Sequence, residues 1–186
     1  IHIGVGIRSG VLNHGRLVRT MDNRDDILGH MIVDMNGKAC YCGRYGCLEA
    51  YCSLNAMLKE YINGLKRGRS SDVLMRYKGA IDSIDYHQFF KEEKRGDPLA
   101  IQIILDGAAV MAIGIANFAS LMDLDMVIIN GPLIQLSNIF FDECVKIAGE
   151  KALKPIIYSK GQLGSNAIVM GAGLNALNKS LGLFEL

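Results

Sequence analysis

The chain has 186 residues, enough for one larger domain or two small lobes with a substantial core. Lys and Arg number 20 and Asp and Glu 19, and the net charge of +1 argues against a generally basic nucleic-acid-wrapping protein. Half of the residues are hydrophobic, but no apolar run reaches the length that spans a bilayer, so we expect no membrane partner and a cytoplasmic location.

The first 18 residues alternate apolar residues with glycines, a pattern that predicts short strands with close backbone approach. Asn13-His14-Gly15 predicts a turn between two of these strands. The acidic segment 21–28 predicts an irregular loop, and 31–33 predicts a short strand. Because Ile1 already lies within a predicted strand, we expect further residues upstream of it.

The spacing of apolar residues changes to three and four after Ser53, which predicts a helix over 54–65 with Ser53 as its N-cap. The segment 70–95 is mixed polar and aromatic and predicts one or two short helices. Asp97-Pro98 is typical of a helix start, and we expect this helix to continue to about Leu121 in the core.

The C-terminal third alternates predicted strands and helices. The apolar run 126–129 predicts a fully buried central strand, and 130–132 predicts a turn. A helix over 137–153, a strand over 155–158 and a helix over 165–181 follow. This alternation predicts an α/β layer with a largely parallel portion.

Three of the five cysteines lie within eight positions, at Cys40, Cys42 and Cys47, and His30 lies ten residues upstream of the first. Three thiols and one imidazole complete a tetrahedral shell, which suits Zn²⁺ in a closed structural site. Glycines between the thiols allow the chain to fold tightly around one ion. The pattern therefore predicts a structural zinc site.

Two other interpretations of the cluster stay open from the residues alone. The thiols could be ordinary buried cysteines beside an unrelated histidine, although three thiols so close together are vulnerable to oxidation. A redox site is a weaker alternative, because the spacing is not C-x-x-C. The remaining cysteines, Cys52 and Cys144, are interpreted as small buried hydrophobic residues.

The cysteine pattern resembles the zinc motif of the ROK family (repressors, open reading frames, sugar kinases). The matching residues are Gly29-His30-Met31 followed by Cys40-Tyr41-Cys42-Gly43-Arg44-Tyr45-Gly46-Cys47-Leu48-Glu49. The glycine-spaced start and the segments 128–132 and 163–167 also resemble that family. The resemblance implies an actin-like (ribonuclease H-like) sugar-kinase fold of α/β class. Residues 1–186 would be its C-terminal lobe, with a zinc knuckle over 29–49 and with the N-terminal lobe and any DNA-binding domain absent.

The resemblance also implies which residues contact ligands. In the family, the zinc histidine and the glutamate two positions after the last cysteine contact the sugar, and here these are His30 and Glu49. For Glu49 the alternative is a solvated carboxylate at a helix start. The implied nucleotide-contacting positions are Gly4, Gly6, Gly10 and Gly131, for which tight turns inherited from the fold are an equal alternative.

Two positions depart from the family's pattern. Members that phosphorylate sugars usually carry a glutamate three residues before the zinc histidine, and here that position is Ile27. Asp25 and Asp26 are the nearby carboxylates that could substitute for it. Arg8 stands where the family tends to have a small residue. The family's Asp-x-Gly-x-Thr loop and general-base aspartate belong to the N-terminal lobe, so we expect no catalysis by this chain alone.

Three functions stay in contention. The first is the sugar-sensing and oligomerising part of a ROK-type transcriptional regulator, a homo-oligomer that binds a small-molecule sugar and contacts DNA only through a missing N-terminal domain. The second is the C-terminal lobe of an ATP-dependent hexose-type kinase, for which alone ATP and Mg²⁺ would be cofactors. The third is a zinc-stabilised interaction domain that binds no sugar.

Overall fold

The computed structural model describes residues 1–18, 27–77 and 79–181 of the chain. Its first four strands are β1 (His2–Ile3), β2 (Ile7–Arg8), β3 (Val11–Asn13) and β4 (Arg16–Val18). β1 and β2 pair antiparallel, and β3 and β4 form the predicted hairpin. The turn of the hairpin places His14 and Gly15 at positive φ, 49° and 76°, as tight hairpin turns require.

The other two strands, β5 (Met126–Ile129) and β6 (Ile157–Lys160), pair parallel. The Ile3 N–H donates to the carbonyl oxygen of Asn130 at 2.8 Å, and the Asn130 N–H donates to that of Ile1 at 2.9 Å. These bonds place β1 parallel to the end of β5. The prediction of a largely parallel portion is therefore confirmed.

The prediction that 126–129 is fully buried is wrong. Val127 and Ile129 are buried, whereas Met126 and Ile128 are 49% and 48% exposed. β5 lies between β6 and β1, but the described part of the chain covers only one of its faces. An apolar run therefore does not by itself tell whether a strand is covered on both faces.

Eight helices lie in the described part of the chain: α1 (Glu49–Cys52), α2 (Leu54–Lys66), α3 (Val73–Arg76), α4 (Tyr86–Lys94), α5 (Pro98–Leu121), α6 (Pro132–Leu136), α7 (Asn138–Lys151) and α8 (Ala167–Ser180). The predicted caps are confirmed, since Ser53 Oγ accepts the Ala56 N–H at 3.2 Å and Asp97 Oδ1 accepts the Ala100 N–H at 2.9 Å. The short helix α6 was not predicted, because the turn residues at 130–132 obscured its start.

α5 is the central helix and packs against α1, α2, α4 and α7. It is long and apolar enough to cross a membrane, contrary to the expectation from the sequence, but most of its apolar window is buried inside the protein. Gly114 allows its closest approach to the cysteine region, because a Cβ there would lie 2.7 Å from Leu48 Cδ2. α5 is therefore a core helix that supports the end of the cysteine segment.

The segment 70–95 folds around a buried carboxylate. Glu92 on α4 is fully buried and accepts from Arg76 and Arg95 at 2.5 Å each, and from the Tyr77 hydroxyl at 3.3 Å. Paired guanidinium groups offset the cost of burying this charge. The prediction of short helices here is confirmed by α3 and α4, and a 3₁₀ turn lies between them.

Residues 29–49, called the cysteine knuckle below, fold back on themselves through two antiparallel contacts. Ile32 pairs with Cys47, and Ala39 pairs with Tyr45. The predicted strand over 31–33 is thereby reduced to a single bridge. The segment 19–26, which includes Asp25 and Asp26, lies outside the described residues.

Substituting Gly46 by alanine should destabilise the knuckle far more than substituting Gly43. Both glycines have positive φ, 73° and 87°, which costs an alanine about 1–2 kcal/mol. A Cβ at Gly46 would also overlap the carbonyl oxygen of Asp34, whereas a Cβ at Gly43 meets nothing within 4 Å in the described residues. We expect thermal unfolding to show a clearly larger loss for G46A than for G43A, and equal losses would contradict this packing.

Candidate functional site

Four side chains of the cysteine knuckle converge on one point. His30 Nδ1 lies 3.6 Å from Cys40 Sγ, and Cys42 Sγ lies 3.6 Å from Cys47 Sγ. All four donor atoms lie within 4.8 Å of one another. A tetrahedral ion with bonds of about 2.3 Å to sulfur and about 2.0–2.1 Å to nitrogen has edges of about 3.6–3.8 Å. The donor set therefore fits a single tetrahedral ion of the zinc type.

The surroundings of the thiols differ. Hydrogen bonds from the Arg44 backbone N–H and guanidinium lower the pKa of Cys42 to about 6. Burial raises the pKa of Cys47, which has no exposed surface. The surroundings therefore favour the thiolate more at Cys42 than at Cys47, and a bound metal would keep all three sulfurs deprotonated.

The imidazole of His30 joins the cluster to an open groove. Its Nε2 lies 3.1 Å from the Tyr41 hydroxyl, on the side of the ring opposite the Cys40 contact. A metal at Nδ1 would leave the ring proton on Nε2, which could then donate to an oxygen. The groove beside the ring is lined in part by Ile27, Tyr41 and Leu121. Ile27, the departure noted in the sequence, thus lies beside His30.

Glu49 is buried at the start of α1, with 5% of its surface exposed. The alternative of a solvated carboxylate is therefore wrong. Its Oε2 accepts the Ile7 N–H at 2.6 Å and lies 3.5 Å from Arg8 Nη1. Its own N–H donates to the carbonyl oxygen of Gly29, the residue before His30, at 2.8 Å. The backbone thus links the carboxylate to the cluster, although Glu49 is not among the described residues that line the groove.

The structure shows the surroundings of three glycines that were predicted to contact a nucleotide. The Gly4 N–H donates to the carbonyl oxygen of Gly6 at 2.9 Å. Gly131 has φ 111°, and a Cβ there would overlap the backbone of Ile3. Gly10 is exposed before β3. Tight packing thus accounts for the glycine at position 131, whereas a Cβ at Gly4 would make only ordinary contacts.

Sequence reasoning missed several parts of this site. It assigned no role to Tyr41 or Arg44, although both lie between cysteines of the motif and a metal-binding loop positions its intervening residues. The bond from the Ile7 N–H to Glu49 leaves no signal in the sequence, because a backbone donor can belong to any residue type. The contact between Arg8 and Glu49 joins residues 41 positions apart, beyond any local pattern.

Removing one sulfur from the cluster should remove the metal and loosen the knuckle. We expect elemental analysis to find about one zinc per chain in the unchelated wild type and a large loss in Cys40→Ser, because a three-donor site binds the ion less tightly. Cys144→Ser is the matched control, since Cys144 lies in the core outside the cluster and should keep the metal. Chelation should also lower the Tm, and an unchanged Tm after metal removal would contradict a structural ion.

A family model described as the ROK family matches residues 1–179. The chain is 32% identical over 139 residues to the glucokinase of Thermotoga maritima, an alignment that covers 75% of this chain and 44% of the relative. It is 25% identical over 187 residues to the DNA-binding transcriptional dual regulator NagC of Escherichia coli, covering 95% of this chain and 44% of the relative. The chain therefore spans about half the length of the curated relatives it matches.

The fold matches the crystal structure of a ROK family glucokinase from Streptomyces griseus in complex with glucose and AMPPNP, with a TM-score of 0.81 and 24% identity. The match covers 92% of this chain and 57% of that chain. This likeness establishes the fold, and it confirms the actin-like sugar-kinase fold expected from the sequence. With the family model matching nearly every residue, the chain belongs to the ROK family.

Proposed function

We propose that this chain is the sugar-sensing and oligomerising C-terminal lobe of a ROK-type transcriptional regulator. Zinc in the cysteine knuckle stabilises the lobe, and the lobe alone performs no catalysis. A sugar is bound near His30 and Glu49, and DNA is contacted by another part of the protein. The match to both a glucokinase and a DNA-binding regulator supports a sugar-related function, and the choice between them depends on the glycine loop.

The hydrogen bonds within the glycine loop, residues 4–10, are the observation that favours the regulator over the kinase. Phosphoryl transfer depends on donors that hold the phosphates in position and stabilise their charge. In this loop the Gly4 N–H is bonded to Gly6 and the Ile7 N–H to Glu49, so neither amide points at a ligand. Arg8 adds a large side chain whose Nη1 donates to the carbonyl oxygen of Ile7 at 3.0 Å. Two amides of the loop, those of Gly4 and Ile7, are therefore already bonded within the protein.

The groove beside His30 supports the same choice. The side chain of Ile27 is 46% exposed and lines this groove, where the resemblance places a glutamate in members that phosphorylate sugars. An alkyl side chain offers no hydrogen bond to a sugar hydroxyl. Losing a charged acceptor for a bound hydroxyl weakens binding by about 1.5–3 kcal/mol, which a sensor tolerates better than an enzyme that must orient its substrate.

The sugar-contacting roles of His30 and Glu49 are supported by their linkage through Gly29. The knuckle fixes the ring of His30, and the same turn holds the backbone of Glu49. Carboxylate and imidazole together can accept from and donate to neighbouring sugar hydroxyls. For self-association, the exposed apolar side chains of α8, which include Val169, Leu174 and Leu177, are the surface that supports a homo-oligomer.

The second candidate is the C-terminal lobe of an ATP-dependent hexose-type kinase. It is favoured by the 32% identity to the Thermotoga maritima glucokinase, which is higher than the identity to the regulator NagC. In that case ATP and Mg²⁺ would bind between this lobe and another one, and Gly6 and Gly10 would contribute their backbone to the phosphate site.

Assays of the full-length protein separate the two candidates. With ATP, Mg²⁺ and glucose, N-acetylglucosamine or xylose, we expect no sugar-dependent ADP formation, while the same sugar changes binding to duplexes selected from a random DNA library. A ROK glucokinase serves as the positive control for the kinase assay. Sugar-dependent turnover within the range of about 1–100 s⁻¹ usual for kinases would support the second candidate instead.

The charge of Glu49 should matter for sugar binding. We expect Glu49→Gln to weaken the affinity for the bound sugar by about tenfold to about a hundredfold, because hydrogen bonds to a carboxylate are stronger than those to a neutral amide. Titration calorimetry measures this change, and Glu150→Gln on the exposed face of α7 is the matched control. Zinc content should stay unchanged in both variants, and equal affinities would remove Glu49 from the sugar site.

A further inference from the structure

We propose that Arg8 is a specificity-determining residue that masks Glu49, so that a sugar engages the carboxylate only after the guanidinium has moved aside. This inference rests on the proposed sugar site. In this inference, Arg8 competes with the sugar for the Glu49 carboxylate. Arg8 stands at a position where the resemblance to the ROK family implies a small residue.

The guanidinium of Arg8 lies close to two oxygen acceptors. Arg8 Nη1 donates to the carbonyl oxygen of Ile7 at 3.0 Å and lies 3.5 Å from Glu49 Oε2. The same oxygen of Glu49 accepts the Ile7 N–H at 2.6 Å. Both side chains thus bond to the backbone of Ile7, Glu49 through the N–H and Arg8 through the carbonyl oxygen, and this holds the two charges close together.

Two glycines, Gly6 and Gly29, lie next to the ion pair. A Cβ at Gly6 would lie 3.0 Å from Arg8 Nη1 and 3.1 Å from Glu49 Oε2. A Cβ at Gly29 would lie 3.1 Å from the same carboxylate oxygen. The absence of a side chain at these two glycines therefore leaves the room that both charged groups occupy.

The two side chains of the ion pair differ in their exposure to solvent. The side chain of Arg8 is 43% exposed, and that of Glu49 is 6% exposed. The guanidinium is therefore the member of the pair that solvent reaches more readily. A neutral sugar has no charge to offer Arg8 in exchange for Glu49, so a hydroxyl that takes the place of the guanidinium at Oε2 breaks this ion pair.

The expected change in sugar affinity is modest, because the ion pair is partly exposed to solvent. Ion pairs of this kind contribute modestly and are weakened by salt. Removing the guanidinium should therefore raise the affinity for a neutral sugar by about fivefold. Added salt should raise the affinity of the wild type as well, because it weakens the pair and leaves the uncharged ligand unaffected.

The test is titration calorimetry on the full-length, zinc-loaded protein with glucose, N-acetylglucosamine and xylose. Arg8→Ala should bind the recognised sugar about fivefold more tightly than the wild type, whereas Arg16→Ala, which removes the same charge from strand β4, should bind as the wild type does. Zinc content and Tm confirm that each variant is folded. If Arg8→Ala fails to fold, the salt titration of the wild type carries the test by itself.

The outcomes separate this inference from the function on which it rests. Weaker sugar binding in Arg8→Ala would overturn the masking, because it would make Arg8 a direct ligand of the sugar. Equal binding together with a salt-independent wild type would overturn it too, while the sugar site would stand. The absence of binding heat for every sugar with both the wild type and Arg8→Ala would overturn the proposed sugar-sensing function and this inference with it.

Discussion

The convergence of one imidazole and three sulfurs within 4.8 Å is the constraint on which the rest of this site depends. Residues 29–49 include few apolar residues that reach the core, and their antiparallel pairing is limited to two short contacts in the described residues. An ion at the four donors would replace the hydrophobic packing that such a small segment lacks. The same segment carries Gly29, whose carbonyl oxygen accepts the Glu49 N–H, so the metal donors and the carboxylate share one backbone framework.

The glycine loop shows that a glycine can be required by the fold itself. Gly131 must approach Ile3 closely for β1 to lie beside β5, so that glycine is needed whether or not a nucleotide binds. Gly4 likewise closes a turn within the protein. Gly131 therefore shows that a glycine resembling part of a phosphate-binding pattern can be required by packing alone. The amides they present, and not their number, decide whether a phosphate could bind.

Short-range sequence patterns predicted most of the helices and strands and the four donors of the cysteine knuckle. Capping by Ser53 and Asp97, the hairpin turn and the parallel strands all follow from short-range rules, and the structure agrees with them. The donor set of the cysteine knuckle was visible because its members lie close in sequence. The exposed face of β5 and the contact of Arg8 with Glu49 were not, because cover by other elements and ion pairs between distant residues depend on tertiary packing.

The environment of Glu49 explains why burial alone does not identify a ligand-binding carboxylate. A buried charge needs partners, and here the protein supplies the Ile7 N–H and the Arg8 guanidinium. A backbone donor is fixed and leaves other lone pairs of the carboxylate for a hydroxyl, whereas a guanidinium competes for them directly. A glycine or alanine at position 8 would keep the first partner and lose the second. In the proposed sugar site, the identity of this single residue would therefore set how readily the carboxylate accepts a hydroxyl, while the backbone donor from Ile7 stays in place.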